Sequence, residues 1–84
     1  MNYIIAVFRS RAETIRFNNE LKAMGVLREI VSTPRQARVG CGLSVKFKRG
    51  NSAHALKLLR FNGYNTFAGF YEVTPNGVKR VNLP

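Results

Sequence analysis

The chain has 84 residues, 14 of them Lys or Arg against 4 Asp or Glu, for a formal net charge of +10. A chain of this length holds one core, so residues 1–84 are read as a single domain, and 45% hydrophobic residues with six Phe and three Tyr exclude a disordered composition. One cysteine cannot form an internal disulfide, which excludes a stapled secreted scaffold and points to a reducing cytoplasm.

Tyr3–Phe8 is a short β-rich run, read as a buried first strand. It is too short to cross a membrane and lacks the basic start and cleavage site of a signal peptide. Ser10, with Glu13 three residues later, forms a capping box in which the serine takes a first-turn N–H and the glutamate reaches back, so a helix should start at Arg11. Thr14, Phe17, Leu21 and Met24 recur at helical spacing and give it an apolar face, with Ile15 unexplained off that face. Gly25 closes the helix, and residues 27–31 read as a second strand.

Pro34 removes a backbone donor and restricts Thr33, ending the second strand near Ser32 or Thr33. A loop through Gly42 follows. Leu43, Val45 and Phe47 then alternate with Ser44, Lys46 and Lys48, the period-two pattern of a third strand with one buried and one wet face. Asn51 or Ser52 can cap a second helix whose Ala55, Leu56 and Leu59, joined by Leu58, face the core, and Gly63 ends it. Residues 65–73 read as an aromatic-rich fourth strand, and Pro75-Asn-Gly77 as a turn. The pattern leaves open whether residues 78–83 return as a short fifth strand.

The order β-α-β-β-α-β fits an α+β two-layer sandwich of the ferredoxin-like kind: an antiparallel sheet with both helices on one face. Right-handed crossovers place strands one and three centrally and strands two and four outside.

Chemistry concentrates in residues 33–47. Cys41 lies between Gly40 and Gly42, whose backbone freedom lets a ligand or another chain approach closely, and Arg35 and Arg38 are candidates to favour a thiolate. An isolated cysteine is also commonly one more small buried side chain, and the residues alone leave both readings open. Thr33-Pro34-Arg35 can present an arginine fork to an anion or form an ordinary turn. His54 has no metal-ligating neighbour, the four glutamates are scattered, and no phosphate loop or catalytic triad is visible. No metal, cofactor or conventional enzyme chemistry is therefore expected.

The charge requires a hearing for nucleic acid, because this strand order is also that of an RNA-recognition motif. Such sheets stack bases on outward aromatics, whereas the outward positions of the third strand are Ser44, Lys46 and Lys48. Lys46, Lys48 and Arg49 can still contact phosphates without sequence preference, or simply form a solvated strand end.

With Thr33-Pro34-Arg35 followed by Cys41-Gly42-Leu43-Ser44-Val45-Lys46-Phe47 after a β-α-β opening, the chain resembles the selenium/sulfur carrier-like family, over residues 2–72. That resemblance implies a cytoplasmic carrier whose cysteine, here Cys41, holds sulfur or selenium as a persulfide-type adduct between a donor and an acceptor protein, with Pro34 and Arg35 matching a Pro-Arg element. Gly40 stands where the family more often has a small polar residue, and the basicity and a tail after Val73 also depart from its pattern. A basic, non-catalytic RNA- or protein-binding module is the alternative, and an exposed edge strand would permit a homodimer.

Overall fold

The structure, a computed structural model, describes residues 2–83. Its elements are β1 (Tyr3–Phe8), α1 (Arg11–Ala23), β2 (Arg28–Ser32), β3 (Leu43–Phe47), α2 (Ser52–Phe61), β4 (Phe67–Thr74) and β5 (Gly77–Val81), with short 3₁₀ turns at Arg35–Ala37 and Arg49–Asn51. The five strands form one antiparallel sheet in the order β2-β3-β1-β4-β5, consistent with a ferredoxin-like α+β fold.

β1 and β3 are central, as the crossover argument requires. β4 is not at the edge, because residues 77–81 do form β5 and pair along it from Phe70↔Val81 to Thr74↔Gly77. The hairpin is tightened at Thr74, whose hydroxyl accepts from Asn76 N–H at 3.2 Å and donates to Gly77 O at 3.3 Å.

Every residue from Ile4 to Phe8 is buried, so β1 is covered on both faces. Ile4, Ala6 and Phe8 join Phe17, Leu21, Val45, Phe47, Ala55, Leu58 and Phe70 beneath the helices. Phe8 anchors this core, its ring centroid 5.0 Å from Phe17, 5.3 Å from Tyr64 and 5.4 Å from Phe67. Burying each such ring contributes about 2 kcal/mol, and the cluster fixes the end of β1 against α1 and the start of β4.

The other face is not open. Ile5 and Val7 pack there with Ala37, itself fully buried, and with Val31, Tyr71, Val73 and Val78 around them. The β2–β3 connection thus crosses the face opposite the helices, and its 3₁₀ turn makes contacts with β5. Ser44, read from the sequence as wet, is therefore fully buried, because its side of β3 lies under this connection; its hydroxyl meets that of Thr33 at 2.5 Å. Pairing two buried hydroxyls offsets the desolvation that either would suffer alone.

The α1 cap also differs from the capping box. Ser10 Oγ accepts from Glu13 N–H at 3.2 Å as expected, but the Glu13 carboxylate does not return to Ser10. It turns to the start of β4 instead. Asn51 precedes α2 without a side-chain cap bond, and the Ser52 hydroxyl bonds to Arg49 O at 2.5 Å.

Candidate functional site

The β1–α1 turn is built first. Arg9 N–H donates to Thr66 O at 2.9 Å, and Ser10 N–H donates to Thr66 Oγ1 at 3.2 Å. Glu13 accepts from Thr66 Oγ1 at 2.6 Å and from the N–H groups of Asn65 and Thr66 at 3.0 Å and 2.9 Å. The Thr66 hydroxyl bond, then the Asn65 amide, hold the Glu13 carboxyl below its usual range. One carboxylate thereby ties the first turn of α1 to a segment over fifty positions away in the chain.

On this frame sits Thr14, fully buried, whose Oγ1–H donates to Ser10 O at 3.0 Å. The loop of residues 33–42 is closed at its base by Thr33 N–H donating to Gly42 O at 2.8 Å and by the Thr33–Ser44 hydroxyl pair. Pro34 (φ −56°, ψ 149°) leads into the 3₁₀ turn, with Ala37 N–H donating to Pro34 O at 2.9 Å.

The two glycines beside Cys41 act differently. Gly42 has φ +86°, a conformation that L side chains rarely adopt. Gly40 is needed for space: a Cβ there would lie 2.5 Å from Phe8 O and 2.7 Å from Arg9 Cα. The backbone that approaches Gly40 is the chain's own β1–α1 turn, and this close seating brings Cys41 to α1.

Cys41 is half-buried, with its Sγ 3.6 Å from Thr14 Oγ1 and 3.7 Å from Leu43 O. Because the Thr14 proton points to Ser10 O, the oxygen presents a lone pair to sulfur, and the S–H can donate to Thr14 or to Leu43 O. Ionised, the sulfur would need the Thr14 hydroxyl to turn and donate to it.

Of the residues singled out from sequence, Pro34, Arg35, Arg38, Gly40, Cys41 and Gly42 share this one loop. Arg35 is exposed, and the guanidinium of exposed Arg38 donates to Thr33 O at 3.1 Å. Neither arginine hydrogen-bonds to the Cys41 sulfur, whose partners are Thr14 and Leu43. Lys46, Lys48 and Arg49 lie beyond, at the far end of β3. Lys46 is 3.8 Å from Glu29 and 4.4 Å from the Tyr3 ring, Arg49 is 3.2 Å from Glu72, and Lys48 is exposed.

Sequence reasoning placed Thr14 on the apolar face of α1 and overlooked what its hydroxyl does. The signal was present: a hydroxyl on a helix face otherwise filled by Phe17 and Leu21 must find a partner when buried. Thr66 carried no local signal, since both groups that it serves lie on another element.

Among the described residues no group of three or more His, Cys, Asp and Glu could hold a metal ion, and no helix is long and apolar enough to cross a membrane. What the fold and loop define is a small α+β domain with one half-buried thiol, seated by a hydrogen-bonded loop against the first turns of a helix. The chain belongs to the family described as Putative Se/S carrier protein-like, whose model matches residues 2–72 and so includes Cys41 and its whole seat. The match stops short of β5. Comparison with curated proteins gave no match, and comparison with solved structures gave none.

Proposed function

We propose that this protein is a cytoplasmic thiol carrier that takes up sulfur or selenium on Cys41 as a persulfide-type adduct and passes it between a donor and an acceptor protein. The observation that carries the reading is the seating of Cys41: the chain's one sulfur nucleophile, half-buried beside Thr14 and Leu43, within the segment matched by the carrier family.

The chemistry balances without an external oxidant or reductant. The Cys41 thiolate attacks the outer sulfur of a donor persulfide; the new S–S bond forms as the donor's S–S bond breaks, and the electron pair leaves on the donor thiolate. Delivery is the same displacement by an acceptor thiolate, with Cys41 now leaving. A lone cysteine has no second thiol to resolve the adduct, so the adduct waits for its acceptor. Arg35 and Arg38, both exposed, bring positive charge to this loop, and the surface as a whole draws in an acidic partner.

The test is intact mass after the reduced protein is incubated with a cysteine desulfurase and cysteine. Wild type gains one sulfur and Cys41→Ala gains none; a wild type that gains no mass removes the proposal. A basic binding module would leave a different record, salt-sensitive RNA association that survives Cys41→Ala.

A further inference from the structure

The sheet has a second feature at the end away from Cys41. Where β1 and β2 begin and β3 finishes, a cleft of about 410 Å³ is lined by Tyr3, Leu27, Arg28, Lys46, Phe47 and Lys48, with Asn2 and Glu29 at its margin. β3 runs from Leu43, two residues past Cys41, to Phe47 at the cleft, a separation of about 13 Å at strand rise. The cleft is therefore separate from the thiol, and nothing inferred for it depends on the carrier reading.

Its chemistry is specific in two respects. The walls are largely apolar and include Leu27, a leucine left 73% exposed, together with Tyr3. Three cations share these walls with a single carboxylate. Lys46 Nζ lies 4.4 Å from the Tyr3 centroid and 3.8 Å from Glu29, a loose ion pair with the Glu29 side chain 66% exposed. Arg28 Nε is out of reach of solvent yet has no hydrogen-bond partner among the described residues. That nitrogen is closed to a ligand as it is to water, so what half-buried Arg28 offers an anion is the charge and the terminal amino groups of its guanidinium, for which planar anions are the best match. Lys48, also at this cleft, is exposed.

We infer that this cleft is a binding site for a small organic anion with a flat apolar body and a carboxylate, sulfonate or phosphate group. The body covers Tyr3 and Leu27 and displaces water from them, while the anionic group takes Arg28 and Lys48. Glu29 opposes binding by competing for Lys46. This site uses two of the three basic residues at the end of β3 and leaves out Arg49, which is held by Glu72.

The probe is anilinonaphthalene sulfonate, compared with uncharged N-phenylnaphthylamine, at about 0.15 M salt where diffuse attraction is screened. Backbone NMR shifts should centre on Tyr3, Leu27, Arg28 and Lys48 for the sulfonate, with affinity at least ten-fold above that of the neutral analogue. Arg28→Gln should weaken binding about ten-fold and Lys48→Gln about three-fold, while Glu29→Gln should tighten it. Lys48 and Glu29 are exposed, so those two variants decide the matter even if Arg28→Gln folds poorly. Equal affinity for the neutral compound, shifts scattered over the basic surface at Arg9, Arg11 and Arg60, or wild-type affinity in both Lys48→Gln and Glu29→Gln would each overturn the inference.

Discussion

Thr14 Oγ1 lies 3.6 Å from Cys41 Sγ while its own proton is engaged with Ser10 O at 3.0 Å. The sulfur can thus meet this oxygen as an acceptor when protonated and, after one hydroxyl rotation, as a donor when ionised. Thr14→Val should slow alkylation of Cys41 at neutral pH several-fold, because a charge-assisted bond to the thiolate outweighs the neutral one lost from the thiol. Thr14→Ser keeps the hydroxyl and should retain most of the rate. Stopped-flow reaction with a maleimide measures both, and equal rates in Val and Ser variants would show that the hydroxyl does not act on sulfur.

Gly40 offers a test of how Cys41 is brought to α1. A methyl group at this position meets Phe8 O at 2.5 Å and Arg9 Cα at 2.7 Å, both backbone atoms that cannot swing aside. Gly40→Ala should destabilise the fold by about 1–3 kcal/mol in urea titration and lift the loop, raising Cys41 accessibility. Gly50→Ala, with nothing within 4 Å of its added Cβ, is the control and should be near neutral. Similar unfolding midpoints for the two would contradict the close approach.

Glu13 sets an acid limit on stability. Its folded-state pKa is lowered from 4.5, chiefly by the Thr66 hydroxyl and the Asn65 amide. A lowered folded pKa contributes stability that is fully present above the unfolded value and is lost as pH falls through the folded one. Burial disfavours the charged form of Glu20, but bonds from Tyr64, Arg16 and Asn62 outweigh it, so Glu20 acts in the same direction. Unfolding free energy measured by urea should therefore decline below about pH 4.5, and Glu13→Gln should flatten that decline. An unchanged slope in Glu13→Gln would exclude this carboxylate as its source.

Much of the fold could be read from side-chain pattern. The alternation Leu43, Val45, Phe47 located β3, Ser10 located the start of α1, and Pro34 the end of β2. The failures share a cause. Ser44 was assigned to water because alternation describes a strand with one dry face, and the dry covering of its other face comes from residues 33–37, which carry no periodicity. Glu13 left its capping box because Thr66 offers a hydroxyl and two nearby amides that no local motif reports. Cys41 itself was legible as a loop thiol between glycines, but its neighbour Thr14 is 27 residues away and becomes a partner only through the seating of Gly40.

The pairing of β1 with β4 has a consequence for synthesis on the ribosome. Ile5 pairs with Lys46 on one side and with Tyr71 on the other, so one flank of the first strand stays unmatched until the last quarter of the chain has emerged. Thr14, Gly40 and Cys41 are all translated before β4, yet the Thr66 clasp that steadies the α1 turn comes later. The nascent chain must hold an unfinished sheet with one flank of β1 unpaired, a high-contact-order route on which folding is slow and β1 is open to wrong partners. Formation of β4 ends that interval and steadies the cysteine's seat in the same event.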